Sequence, residues 1–403
     1  MEGIRKALRK MPPSTTIKVL RKVFAMPAPA ARLILNDVTR ARKEHKPWIK
    51  KVTWNLEWKG CWIGEDVQNL DEGAIRQRID EADVVFFNVH GGGFRLGTPT
   101  MYMDAYIAWI KTLKLKYGLN AIMMSADYRL APEHRYPSPV EDIVRAYEYL
   151  TRHLNVEPYK IITIGDSAGA ALILEMLFIT HDPSMFEIVT EDTDDDNSTQ
   201  PVLEELPRPA GSVMISPLVT DETTSESWKE NVKYDYVSQY TAKVIKKDYF
   251  EPLDPDTPPD AIRVLGIAKL TTGFTAFLPK HCLFYVGDKE VLRDDALDVA
   301  NKARDDGVDV ETVMEDCVHD WFCVREVVKD KKVLERADDK LADFIELSVR
   351  EAREEHEIAM KNAAYDPGLE SVLEVDEDIP EISLEAKEND SGANGQHNMA
   401  LAA

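Results

Sequence analysis

The sequence predicts an α/β fold: a mostly parallel central sheet with helices on both faces and a helical cap. Two observations carry that expectation. From Ala82 onward, short β-branched and aromatic runs alternate with segments of helical length, and strands buried on both faces read as such continuous apolar runs. Within this alternation, residues 159–180 read YKIITIGDSAGAALILEMLFIT, a strand run, a tight turn and an apolar helix. The turn carries Ser167 between Gly165 and Gly169, and small residues there let the helix leave beside the strand it has just left.

Taken in order, residues 1–50 form an N-terminal helical cap or lid segment, amphipathic and broken by Pro12-Pro13 and again at Pro27 and Pro29. Ile17, Leu20, Val23 and Phe24 fall at helical spacing, with Lys18, Arg21 and Lys22 between them. An interfacial membrane helix is one reading of that pattern. The prolines favour a lid, because they cut the segment into pieces too short for strong lipid binding. Trp48, Trp54, Trp58 and Trp62 crowd an interval that alternates as one strand with Val52, Leu56 and Ile63, and read as core or pocket wall.

Residues 51–360 are expected to be the catalytic domain. Strands are read at 84–89, 120–126, 161–164, 212–216, 281–286 and 308–313, with helices at 101–117 and 139–153 and after Ser167. Two stretches interrupt the alternation. Residues 181–208 hold nine acids and one Arg and read as a solvated or disordered acidic insertion. Residues 221–277, rich in Tyr and Pro and holding Trp228, are too long for a loop and read as a helical cap insertion. Residues 366–403, with ten acids and one Lys, read as an acidic disordered tail.

Charge narrows the function. The 403 residues carry a formal charge of −23, which disfavours a general nucleic-acid binder. Residues 1–51 run against that balance, with fourteen Lys and Arg against three acids. No apolar run approaches the ~18 residues that span a bilayer, and the first residues lack the apolar core of a secretory signal. Cys61, Cys282, Cys317 and Cys323 show neither C-x-x-C spacing nor disulfide-scaffold density. The expected setting is therefore cytoplasmic, with the basic N-terminus leaving peripheral contact with an intracellular membrane open.

A serine hydroxyl is a poor nucleophile alone, so a catalytic Ser167 requires a base, a group to orient it and donors for an oxyanion. His90-Gly91-Gly92-Gly93-Phe94 follows the strand at 84–89, and its glycines leave backbone N–H groups open beside the N–H of Ala168. Among nine histidines, His319 lies on a loop after the last strand. Between Ser167 and His319, the end of the strand at 281–286 offers both Asp288 and Glu290 as the acid. Spacing alone does not choose between them.

These motifs carry a resemblance. HGGGF at 90–94, DYRLAPEHRYP at 127–137, GDSAG at 165–169 and EVLRDD at 290–295 together resemble the hormone-sensitive lipase family of α/β-hydrolases, over residues 82–330. The resemblance implies the α/β-hydrolase fold and a serine carboxylic ester hydrolase, esterase- or deacetylase-like, acting on small to medium acyl esters without a cofactor or metal. Its acid is the first residue of a D-P-L-R-D pattern, which falls on Glu290, with Val291 where the pattern has Pro. It further implies Ser167, Glu290 and His319 as the triad and Gly91, Gly92 and Ala168 as oxyanion donors. Glu133 would brace loops beneath the site. A serine amidase of the arylformamidase type and a catalytically silent receptor are the alternatives on the same fold. With an ordinary imidazole as base, activity is expected to fall on acidification through roughly pH 6 to 7.

Overall fold

The computed structural model describes residues 11–52, 58–181, 205–251 and 266–364. Trp54, Leu56, most of the acidic insertion and the acidic tail lie outside the described residues. The chain divides into two units, Met1–His356 and Glu357–Ala403, and the architecture below is that of the first.

The prolines that interrupt the N-terminal pattern are helix starts. Helix α1 (Pro13–Phe24) and helix α2 (Ala28–Val38) each hold a Pro in their first two positions, where the absent N–H would have had no intrahelical partner. The tryptophan-rich interval is not one strand but two. Strands β1 (Ile49–Val52) and β2 (Gly60–Ile63) pair antiparallel, with Ile49 opposite Ile63. Helix α3 (Glu72–Asp80) follows, its first turn capped by the Asp71 carboxylate on the Ala74 N–H.

The alternating region comes next: β3 (Val84–Val89), α4 (Met103–Tyr117), β4 (Ala121–Ala126), α5 (Ser138–Glu148), β5 (Ile161–Asp166), α6 (Ala168–His181) and β6 (Gly211–Ile215). Gly118, at φ 72°, closes α4 in the left-handed conformation that glycine adopts without strain. The helix read over 139–153 is regular only to Glu148 and finishes as a π turn, Tyr149–His153. From the insertion at 221–277, helices α7 (Glu226–Asn231) and α8 (Gln239–Ile245) are described. Strand β7 (His281–Gly287), α9 (Arg293–Asp305), β8 (Asp309–Glu315) and the long α10 (Lys331–Ala364), which belongs to the first unit as far as His356, are the last elements described.

The eight strands form one sheet in the order β1-β2-β4-β3-β5-β6-β7-β8. β2 pairs antiparallel with β4, and every pairing from β4 to β8 is parallel. Successive side chains of a strand point to opposite faces, and Phe86 and Phe87 accordingly enter different cores. Phe87, Met124 and Phe284 pack with α3, α5, α6 and α9, whereas Phe86, Met123 and Leu283 pack with α4 and α10. A third, small cluster joins Val23 of α1 and Ala31 and Leu35 of α2 to Leu96 and Met101. It sets the N-terminal helices over the loop that follows β3. Arg21 adds bonds to the carbonyls of Val232 (2.5 Å) and Asp235 (2.9 Å). Arg32 binds the carbonyls of Arg95 (2.7 Å) and Ala131 (2.5 Å) and pairs with Glu133 at 2.7 Å.

Candidate active site

The site forms where β3, β5, β7 and β8 end. Ser167 follows β5 directly, at φ 49°, a left-handed conformation that costs a non-glycine residue on the order of 1–3 kcal/mol. The turn is tight enough to require its glycines. A Cβ on Gly169 would lie 2.1 Å from the Val89 carbonyl oxygen, and one on Gly165 would lie 2.8 Å from Ala170 N. The Ser167 N–H donates to the Ile215 carbonyl (2.8 Å), which anchors the turn to β6.

Three buried side chains meet there. His319 Nε2 lies 2.9 Å from Ser167 Oγ, and His319 Nδ1 lies 3.2 Å from Glu290 Oε2. Ser167 is 7% exposed, His319 2% and Glu290 0%. That near-exclusion of solvent leaves each polar group dependent on the others. Of the two acids that spacing left open, Glu290 is the one turned to the imidazole. Asp288 is half-exposed and faces Arg293 at 3.5 Å, while its N–H continues the sheet to the Glu315 carbonyl at 2.8 Å. His281, at the start of β7, is tied instead to Asp309 (2.8 Å) and Glu351 (3.1 Å).

The glycine loop departs from the expectation at one position. The N–H of Gly91 donates to Asp166 Oδ1 at 2.9 Å, so it is not open to a ligand. Among the described residues no hydrogen bond is made by the N–H of Gly92, Gly93 or Ala168. Ala168 opens α6, where an N–H lacks an intrahelical partner by geometry. The open donors are thus Gly92, Gly93 and Ala168, shifted by one glycine from the sequence reading. Gly91 serves the loop instead: a Cβ there would strike Asp166 Oδ2 at 2.2 Å, so only glycine lets the two turns close. His90 is fully buried, stacked on Tyr128 at 4.5 Å, with Nδ1 2.8 Å from the Gly91 carbonyl.

Several further carboxyl groups shape the site. Asp166 is held by Gly91 and by the Tyr102 hydroxyl (3.1 Å), and burial, then the nearby Asp320, push its carboxyl well above the usual range. Asp320, at φ 52°, sets Oδ2 3.2 Å from His319 Nε2, on the same nitrogen that faces Ser167. Its N–H donates to Ser216 Oγ (3.0 Å), and the Tyr236 hydroxyl donates to its Oδ2 (3.2 Å). Its adjacency to His319 was visible in the sequence, but no pattern marked it. Burial alone would lower the pKa of His319; the carboxylates of Asp320 and Glu290 outweigh it and raise the imidazole well above its ordinary value.

A cavity of about 230 Å³ lies beneath α1 and α2, lined by Leu20, Phe24, Leu35, Met101, Tyr102 and Tyr236 among others. The two tyrosines border it while their hydroxyls reach Asp166 and Asp320, the chain neighbours of Ser167 and His319. Above the glycine loop, a Cβ on Gly93 would meet Ile245 of α8 at 2.7 Å. Among the described residues no group of three or more His, Cys, Asp or Glu could hold a metal ion.

The fold has known relatives. A family model described as alpha/beta hydrolase fold matches residues 86–323. Lipase 2 of Moraxella sp. is 27% identical over 286 residues, 68% of this chain and 62% of that protein. An esterase of Acinetobacter venetianus is 28% identical over 235 residues, 57% of this chain and 64% of its own. The chain thus spans somewhat less than two thirds of these relatives. A hormone-sensitive lipase from a metagenome library has a TM-score of 0.61 at 22% identity, covering 84% of this chain and 99% of its own. An esterase/lipase from an uncultured bacterium scores 0.60 at 23% identity, covering 86% and 98%. At such identities these two structures speak for the fold.

The raised imidazole has a direct consequence. His319 can take a proton only when Nε2 is unprotonated, so its reactive form is lost as pH falls through its pKa. With that pKa above the ordinary ~6.5, labelling of Ser167 by a fluorophosphonate should slow at a higher pH than the roughly 6 to 7 expected from an unperturbed base. Labelling rates measured at intervals from about pH 5 to 9 check this, and a rate that stays flat down to about pH 5 contradicts His319 as base.

Proposed function

The chain belongs to the alpha/beta hydrolase fold family, and from that premise we propose that it is a serine carboxylic ester hydrolase acting on small to medium acyl esters. The observation that carries the reading is the run of short contacts from Ser167 Oγ to His319 Nε2 (2.9 Å) and from His319 Nδ1 to Glu290 Oε2 (3.2 Å) beside unbonded backbone N–H groups.

In the proposed reaction His319 accepts the Ser167 hydroxyl proton as Oγ attacks the ester carbonyl, and Glu290 holds the imidazole in the tautomer that leaves Nε2 free. The carbonyl oxygen becomes an oxyanion held by the N–H groups of Gly92, Gly93 and Ala168, each worth on the order of 3 kcal/mol in comparable sites. Collapse expels the alkoxide, which takes the proton from His319, and leaves an acyl-serine. Water, deprotonated by His319, then attacks the acyl carbonyl; collapse breaks the bond to Ser167 Oγ, which takes the proton back from His319, and releases the acid. Ser167→Ala should lower ester turnover about 10⁴-fold or more, and Glu290→Gln about 10²- to 10⁴-fold, in an assay with p-nitrophenyl acetate. An N-formyl aromatic amine, assayed in parallel, separates this reading from an amidase, and turnover of the amide alone would overturn it.

The N-terminal segment at 1–50 and the insertion at 221–277 act in this reading as the cap that sets acyl length. A cavity of about 230 Å³ is small beside the ~300–1,000 Å³ typical of ligand pockets, which supports short and medium chains. Leu20→Trp, which fills it from α1, should lower kcat/KM for p-nitrophenyl hexanoate by about tenfold while sparing the acetate. Equal losses on both esters would place the acyl chain elsewhere.

No helix among the described residues is long and apolar enough to cross a membrane. The proposed setting is the cytoplasm, with peripheral contact between the basic N-terminus and an anionic membrane surface left open. Sedimentation of the full chain with phosphatidylserine vesicles, released by salt, would add such a surface to the reading; no sedimentation at low salt removes it.

A further inference from the structure

We propose that Asp235, on the insertion, is a positioning residue for this site: its carboxylate locks the loop bearing Glu290 and the loop bearing His319 to one another. The inference rests on the hydrolase reading above. Asp235 is fully buried, and its two oxygens serve different loops. Oδ2 accepts the N–H of Val291, the residue after Glu290, at 2.8 Å. Oδ1 accepts the N–H of Tyr236 at 2.7 Å and lies 3.4 Å from the N–H groups of Val237 and of His319 itself. One side chain therefore touches the backbone beside the acid and the backbone of the base.

The Asp235 backbone is itself held on two sides, and the residue that accepts its N–H is tied to the acid-bearing loop. Arg21 of α1 binds its carbonyl at 2.9 Å, its own N–H donates to the Asn231 carbonyl at 3.0 Å, and the Asn231 amide donates to the carbonyls of Asp288 (3.0 Å) and Glu290 (2.9 Å). The position of Glu290 is thus set by the cap as much as by β7. A shift of the order of an ångström between reacting groups costs roughly 10²-fold in rate, so a bond that spans the two loops bears directly on turnover. Asp235 touches no open face of the site, and substrate binding does not pass through it.

The carboxylate also carries charge. Burial pushes its pKa up to about 6, while His319 and the Val291 N–H oppose the rise, so it is mostly ionised at neutral pH. The groups facing His319 are Glu290 at Nδ1, Asp320 at Nε2, the Tyr236 ring at 5.5 Å, and the carboxyls of Asp166 and Asp235. Removing the Asp235 charge takes one support from the imidazolium and moves the acid limb of the rate profile to lower pH.

The test uses the full chain with p-nitrophenyl acetate, comparing parent with Asp235→Asn and with Asp235→Ser, a smaller neutral replacement should the amide not fold. Thermal unfolding, kcat, KM and the pH profile are read together. The expected result is kcat lower by about tenfold or more, KM within about twofold, and an acid limb displaced to lower pH. A lower unfolding temperature with the limb at its parental pH, or failure of both variants to fold, overturns the assignment in favour of a folding role. Unchanged kcat overturns it outright. Parent turnover and Ser167 labelling, measured alongside, separate this outcome from failure of the hydrolase reading: an inert parent removes both.

Discussion

The site depends on one close approach between two chain reversals. β3 and β5 lie side by side, and the turns that follow them must pass within van der Waals contact, Gly169 against the Val89 carbonyl and Gly91 against Asp166. Any side chain at either glycine would hold the turns apart. Closing them forces Ser167 into left-handed backbone and presents the first N–H of α6 beside those of Gly92 and Gly93. The Asp166 carboxyl then fastens the contact by accepting from Gly91. The positions of the proposed nucleophile and oxyanion donors thus follow from a single steric requirement.

Around that contact the chain gathers buried carboxyl groups. Asp166, Asp235, Glu290 and Asp320 surround one imidazole in a region almost closed to water. Each has hydrogen-bond partners, yet Oε1 of Glu290 and Oδ1 of Asp320 are buried without any among the described residues. Unshared negative charge in such surroundings is costly to keep. A cation forming on His319 lowers that cost, and this is why the imidazole is easier to protonate here than in water. The same arrangement favours the charge distribution that develops in the proposed reaction, where Ser167 gives up its proton.

Much of this was readable from the residues, for physical reasons. A strand buried on both faces has to be apolar throughout, so β3, β5 and β7 stood out, with ends within a residue or two of the observed ones. Ser167 was legible because only a narrow set of residues fits its turn. Glu290 and Asp288 could not be separated by spacing, since the difference lies in how the chain turns after β7: Asp288 still pairs with β8, and only beyond it does the backbone swing toward His319. Which glycine offers its N–H was equally hidden, because it depends on the Asp166 side chain. Asp235 and Asp320 belong to no short pattern. Their roles arise from contacts such as the 84-residue separation between Asp235 and His319, which local sequence does not encode.

The arginines of the N-terminal helices have a further consequence. Arg21 and Arg32 fasten those helices largely to main-chain oxygens, those of Val232, Asp235, Arg95 and Ala131. A carbonyl persists whatever side chain its residue carries. The attachment is therefore insensitive to the identity of most residues beneath it, and the apolar positions around the cavity are left free to drift. A chain built this way can diversify the molecules it accepts, one lining residue at a time, without loosening the cover that defines the chamber.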